Sequence, residues 1–212
     1  MHRQLKYLFA ILLIIGCGTG SPVTFKSPQP EGKKNILKFP RQIQANYQSE
    51  DKTSFLTITD NAILQTYSYE IKIPKDSLDA FSVTLKGDTI FDLKTGDKYK
   101  VEINKDTINV EYNNVNTIFK ISDKEVLKYF KGYYFLNTFD DGSWTVQKLY
   151  LLKGILTIGN ISDSSAINQL KELTHSDSDT ISFSLTKKQF KTFIKKGGFT
   201  DNQKFIRLHK NY

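Results

Sequence analysis

The stretch from Tyr133 to Asn160, YYFLNTFDDGSWTVQKLYLLKGILTIGN, decides how this chain folds. It holds runs rich in aromatic and β-branched residues at Tyr133–Asn137, Thr145–Leu152 and Ile155–Ile158. Runs of that length and composition read as strands. Between them stand Asp140-Asp141-Gly142 and Lys153-Gly154, and an X-Gly pair supplies the positive φ angles that a tight hairpin needs. Strands joined in sequence by such reversals form an antiparallel sheet.

The same grammar extends outward on both sides. Strands are expected near Phe55–Thr59, Ile63–Ile73 with a bend, Phe81–Leu85, Ile90–Leu93, Lys98–Ile103, Ile108–Tyr112, Thr117–Ile121, Ile181–Leu185 and Lys204–Leu208. Asp60-Asn61, Lys86-Gly87-Asp88, Thr95-Gly96-Asp97 and Asn113-Asn114 mark the reversals. The fold expected is mainly β, a β-rich α+β architecture with an antiparallel hairpin-built sheet or barrel and two to four short helices. Three helices carry start signals. Ser122 with Glu125 reads as a capping box before Val126, Leu127, Tyr129 and Phe130, with Gly132 as the stop. Ser162 or Asp163 can cap a segment presenting Ala166, Ile167, Leu170 and Leu173, and Thr186 with Gln189 caps one carrying Phe190, Phe193 and Ile194. A helical turn after Pro40, carrying Ile43, is a weaker fourth.

Residues 39–212 read as one β-rich domain, and an internal echo leaves open two similar halves, 39–121 and 122–212. Leu56-Thr57-Ile58 recurs as Leu156-Thr157-Ile158, Phe39–Tyr47 resembles Tyr129–Phe135, and Asp-Thr-Ile begins at Asp88, Asp106 and Asp179. Hairpins that need turn-then-β-branched sequences produce the same echoes.

At the amino end, Arg3 and Lys6 precede an apolar run from Tyr7 to Ile15, followed by Gly16 and Cys17. This is the order of a secretory signal. Nine apolar residues cover only about 14 Å as a helix, against a hydrocarbon core of roughly 30 Å, so the run is too short for a permanent span. Cys17 is the single cysteine of the chain, which leaves it no disulfide partner. Ile14-Ile15-Gly16-Cys17 resembles the lipobox of bacterial lipoproteins. That resemblance implies a signal peptide over 1–16, cleavage between Gly16 and Cys17, diacylglycerol on the Cys17 thiol and acylation of the new amino terminus. Residues 17–38, with three of the five prolines and no period, then read as a lipidated amino terminus and flexible tether. Such a tether would reach roughly 25 Å.

The formal charge is +8, falling to about +6 without Arg3 and Lys6. Among 30 basic residues only Arg3, Arg41 and Arg207 are arginine, and the lysines read as scattered. That speaks against nucleic-acid readout, which favours Arg forks and basic patches, and toward a solvated surface with some attraction for anionic head groups.

Enzyme signatures are sparse. After the signal the histidines are His175 and His209, neither in a zinc-type pair nor near a Gly-x-Ser-x-Gly elbow. His175-Ser176-Asp177-Ser178-Asp179 lacks the glycine and distal acid of a cation loop and reads as a connector. Asp140-Asp141 are adjacent acids at a hairpin tip rather than carboxylates across a cleft. The aromatic run Tyr129–Phe135 reads mainly as core. The sequence calls for no metal, no cofactor and no catalytic residue.

The lysine-rich composition and the tether make the chain loosely similar to small uncharacterised lipoproteins of Bacteroidota. With no acidic run after Cys17, that resemblance implies an outer-membrane lipoprotein facing the periplasm. The expected role is non-enzymatic and accessory or structural, with acylated Cys17 in membrane lipid and another envelope protein as partner. The alternative is a lipocalin-like β-barrel binding a small apolar ligand.

Overall fold

Lys131-Gly132, Asp141-Gly142 and Lys153-Gly154 all hold both residues at positive φ, the geometry of a two-residue reversal whose twist matches the flanking strands. These turns set the architecture. The computed structural model describes residues 23–177 and 181–208, of which the strands in chain order are β1 (Thr24–Phe25), β2 (Asn35–Ile36), β3 (Asn46–Ser49), β4 (Ser54–Ile58), β5 (Ala62–Pro74), β6 (Val83–Lys86), β7 (Thr89–Asp92), β8 (Lys98–Asn104), β9 (Thr107–Lys120), β10 (Glu125–Phe130), β11 (Tyr133–Asp140), β12 (Ser143–Leu152), β13 (Ile155–Asn160), β14 (Ser182–Phe183) and β15 (Asp201–Arg207). Two α-helices, α1 (Ser164–Thr174) and α2 (Lys187–Lys195), and 3-10 segments at Arg41–Ile43 and Lys75–Phe81 complete the described elements. The fold is mainly β, 51% strand against 16% helical, as the alternating runs predict. The sheet does not close into a barrel, so the open form of the two expected ones is observed.

The chain divides into two compact units, each assembled from separate segments. The first comprises the described residues of Met1–Ile36, Ser122–Tyr150 and Ile158–Asn202, and the second Leu37–Ile121, Leu151–Thr157 and the described residues from Gln203 onward. They differ from contiguous halves at 39–121 and 122–212, because β12, β13 and β15 each contribute residues to both units.

In the first unit, β2, β10, β11 and β12 lie side by side and antiparallel, with β1 on β12 and, in parallel, on β14. One sheet face carries Phe130, Phe135 and Val146 against Ala166 and Leu170 of α1 and Phe190 and Phe193 of α2. Both helices start where the sequence placed them. Asp163 accepts the Ala166 amide at 2.7 Å, and Thr186 and Gln189 form a reciprocal capping box. Gly198 sits so close to the Phe193 ring that a Cβ there would fall 2.1 Å from it, so the residue is set by close approach.

Three expectations are corrected here. No reversal forms at Asn113-Asn114, which pair with Ser68 and Tyr67 inside the continuous strand β9 because the long partner β5 extends the ladder through them. The segment after Ser122 is strand β10, not a helix. The Ser122 hydroxyl accepts from the Lys124 and Glu125 amides in a local turn, and Lys131-Gly132 joins Phe130 to Tyr133 as a hairpin. A positive-φ glycine serves a helix stop and a hairpin equally, so the signal was ambiguous. The flexible tether over 17–38 is also corrected from Val23 onward. Val23 and Phe25 are fully buried in the core of the first unit, and Ile36 pairs with Leu127. Residues 17–22 lie outside the described residues.

In the second unit, the order is β15-β3-β4-β5-β9-β8-β7-β6. The β5–β9 ladder is its spine, running from Ala62↔Lys120 to Pro74↔Thr107 with a bulge between Ile63 and Leu64. That bulge is the bend expected in this run. Ile90, Ile108 and Val110 form a small core against Ile73, Val83, Leu85 and Val101. Near Phe39, the Phe119 ring packs edge-on at 6.0 Å, and the buried Tyr47 hydroxyl donates to the Ile43 carbonyl.

Because Phe25 joins the amino-terminal segment to the core of the first unit with no exposure, Phe25→Ala is expected to cost about 3–5 kcal/mol. Urea denaturation monitored by circular dichroism measures it. A change under about 1 kcal/mol would mean that the segment contributes little to the fold.

Candidate functional site

Pairing places Lys128 opposite Phe135 and Phe135 opposite Lys148, so two lysine residues stand on either side of one phenylalanine on the helix-covered face of the first unit. The row above it holds Phe130, Tyr133 and Tyr150, and the row below holds Val126, Asn137 and Val146. Burying polar groups on such a face is costly unless each finds partners. Lys128 and Asn137 find them in the amino-terminal segment.

The Lys128 ammonium donates to the carbonyls of Pro28 at 2.7 Å and Pro30 at 3.1 Å. Asn137 donates to the intervening Gln29 carbonyl at 2.9 Å and accepts the Gln29 amide, while also donating to Val126 and Phe135 carbonyls at 3.2 Å. Three successive carbonyls, 28 to 30, are therefore held by two buried side chains from β10 and β11. Gln29 itself has no exposure, and its peptide bond to Pro30 is cis. Its side-chain amide donates to the Ser27 carbonyl at 3.1 Å, and its Oε1 has no hydrogen-bond partner among the described residues. Burial pushes the Lys128 ammonium below the ordinary lysine value, with the Glu31 carboxylate offsetting part of the shift.

Lys148 is enclosed differently. Its Nζ lies 5.3 Å from the Phe199 ring centroid, 5.4 Å from Tyr133 and 5.5 Å from Tyr150, and the two tyrosines meet edge to face. Rings at that range stabilise a cation through their quadrupoles. Desolvation nonetheless lowers the Lys148 value. Neither lysine faces a carboxylate at salt-bridge distance among the described residues. The arrangement supplies donors and rings, with no acid and base held together for proton transfer.

No protein family, curated protein or solved structure matches this chain.

Other residues singled out by the sequence stay apart. Cys17 and Gly16, with the signal segment, lie outside the described residues, as do His209, Ser178 and Asp179. His175 is an exposed residue in left-handed conformation that ends α1, and Asp177 is exposed beside it. Asp140 and Asp141 stand exposed at the β11–β12 hairpin tip. On the second unit, Ser68, Glu70, Asp88, Lys100, Glu102 and Glu111 line an open concavity, with the Ser68 hydroxyl donating to Glu111. No group of three His, Cys, Asp or Glu among the described residues could hold a metal ion.

Lys128, Asn137, Lys148 and Gln29 were not singled out by sequence reasoning. The available signal was a polar residue breaking an apolar run, as in EVLKYF and YYFLNTF. Such a residue reads as solvent-facing until the covering segment is known.

Asn137→Leu leaves the buried Gln29 amide and carbonyl without partners, at about 1–3 kcal/mol for each. Lys128→Met strands two carbonyls but also removes a desolvated charge, so its loss should be smaller. Urea midpoints and limited proteolysis within residues 26–36 check both, and the reverse order would mean that the ammonium dominates the fastening.

The two lowered lysines also set a pH dependence. Between their lowered folded values and the unfolded value near 10.4, the unfolded chain binds more protons, so stability rises with pH across that window. Below it both states are protonated and the desolvation penalty is fully present. Lys148→Met should flatten the rise in urea midpoint as the pH climbs toward the unfolded lysine value near 10.4. An unchanged slope would show that Lys148 does not titrate differently in the folded state.

Proposed function

We propose that this chain is a membrane-anchored envelope lipoprotein, acylated at Cys17, with a non-enzymatic accessory or structural role exercised through protein binding. The observation that carries the anchor is the order of its first seventeen residues: Arg3 and Lys6, the apolar run Tyr7–Ile15, then Gly16 and the sole cysteine Cys17. An outer-membrane position facing the periplasm follows from the lipoprotein resemblance and the absence of acids in Gly18-Thr19-Gly20-Ser21. Among the described residues, no helix is long and apolar enough to cross a membrane.

A sheet row that carries exposed apolar side chains among polar ones supports the protein-binding role. In the second unit, Ile206 pairs with Gln48, Gln48 with Phe55, Phe55 with Thr66, and Thr66 with Val115, which puts all five on one sheet face. Leu152 and Ile155 flank the Lys153-Gly154 turn, and the Gly154 carbonyl accepts the Arg207 amide beside Ile206. Leu152, Ile206 and Val115 are each more than half exposed, at 62%, 51% and 58%. The neighbouring row toward Glu50 is polar and carries the Lys204–Glu50 pair, so the strip has a polar border on that side. The barrel alternative needs a closed sheet, and this sheet is open.

Cys17→Ala is expected to abolish labelling by a fatty-acid analogue and to leave unprocessed precursor that still carries residues 1–16. Labelling that survives the substitution would remove the basis of the anchor.

A further inference from the structure

The lysines that read as scattered in sequence are gathered by α2. Lys187, Lys191 and Lys195 follow one another at i, i+4 and i+8, and Lys188 adjoins them, so four ammonium groups fall within about 100° of the helix circumference. Phe190 and Phe193 on the other side are buried in the core of the first unit. Lys187, Lys188 and Lys195 are exposed and Lys191 is partly so; none of the four has an ion-pair partner among the described residues, whereas Lys196 reaches Glu172 at 4.0 Å. From Lys187 to Lys196 there are five lysines and no acid, while Asn160–Leu185 holds Lys171 against Asp163, Glu172, Asp177 and Asp179. Charge is thus segregated along the first unit.

The stripe works against the helix that carries it. Like charges at i, i+4 repel, and Lys187 and Lys188 stand in the first turn, at the positive end of the helix dipole. An anionic surface laid along the stripe relieves both effects.

The amino terminus indicates which surface. Val23 is buried in the first unit and lies six residues after Cys17, a distance of about 20 Å at full extension. β1 then pairs Thr24 with Ser182 and Phe25 with Phe183, a short connection before Lys187. Whatever Cys17 is fixed to, the first unit and its lysine stripe stay within a few tens of ångströms of it.

From this we infer that the Lys187, Lys188, Lys191 and Lys195 face of α2 docks on the phosphate-bearing surface of an anionic phospholipid membrane. The inference rests on the lipid-anchor reading for its setting, since the anchor is what brings the helix to the bilayer. Each lysine near an anionic leaflet raises partitioning about five-fold, and the effect is screened as the Debye length shrinks to about 3 Å at 1 M salt.

The test uses residues 17–212 with Cys17→Ser, which keeps every described residue and removes the acyl chains. Cosedimentation is measured with vesicles of equimolar phosphatidylglycerol and phosphatidylcholine and with pure phosphatidylcholine. Binding is expected to the anionic vesicles alone and to be lost near 1 M salt. The K187Q/K188Q/K191Q/K195Q chain should bind about six-hundredfold more weakly, five-fold for each lysine removed. A control carrying K72Q/K75Q/K94Q/K100Q makes the same change in net charge on the second unit and should bind as the parent does. Equal loss in the two quadruple variants, binding indifferent to lipid charge, or no vesicle binding at all, as for a stripe that meets an acidic protein instead, would overturn the inference. An unchanged melting curve for the stripe variant keeps misfolding out of the comparison. Fatty-acid labelling of Cys17 in cells is read separately, so loss of the label breaks the anchor reading while leaving the vesicle result standing.

Discussion

The grip of Lys128 and Asn137 on three consecutive carbonyls is the interaction on which the first unit depends. Pro28, Gln29 and Pro30 cannot pair as a strand would, because neither proline has an amide hydrogen to donate. Buried carbonyls still need donors. An ammonium and a carboxamide projecting from β10 and β11 supply them, and the same side chains need those carbonyls to tolerate burial. Each half of the contact is unfavourable without the other, so the segment and the sheet face are mutually specified.

That dependence organises the packing around it. With residues 28–30 held, Val23 and Phe25 enter the core beside Phe183 and Phe135 on one side, and Ile36 completes the edge of β10 on the other. A Pro-rich stretch that composition assigns to a free tether therefore acts as a covering layer. Its removal would expose the face that also carries Lys148 and its three rings.

Legibility in the sequence followed the range of the interaction. Hairpins joined by X-Gly pairs, the Asp163 cap of α1 and the Thr186–Gln189 box of α2 were readable because each is closed within a few residues. β10 was misread because Ser122 and Gly132 offer the same local chemistry to a helix and to a hairpin, and only pairing with β11 decides between them. The burial of residues 23–36 was not legible, since Gln29 meets Asn137 across 108 positions. The lysine stripe was legible in principle from its spacing, but only once α2 was treated as a helix with one face already committed to the core. Of the candidate site, Cys17 was named from a local motif, while Lys128, Asn137 and Lys148 acquire meaning only through distant partners.

The position of the fastening also bears on how an anchored chain would carry load. Tension applied at residue 17 reaches β1 first, which is only two residues long and bonded in parallel to β14. Such a strand would hold little force alone. A few residues further on, the chain is tied by side chains that stand in the middle of β10 and β11, where the ladder continues on both sides of Lys128 and Asn137. Tension is then shared among the bonds of a paired sheet instead of being applied to them one after another from an end. A free tether of the length that composition implies would spread an anchor at Cys17 and the fold apart; the fastened segment would instead limit how far the fold could stand from such an anchor, and that shortness is what would make a charged helix face on the first unit relevant to a membrane.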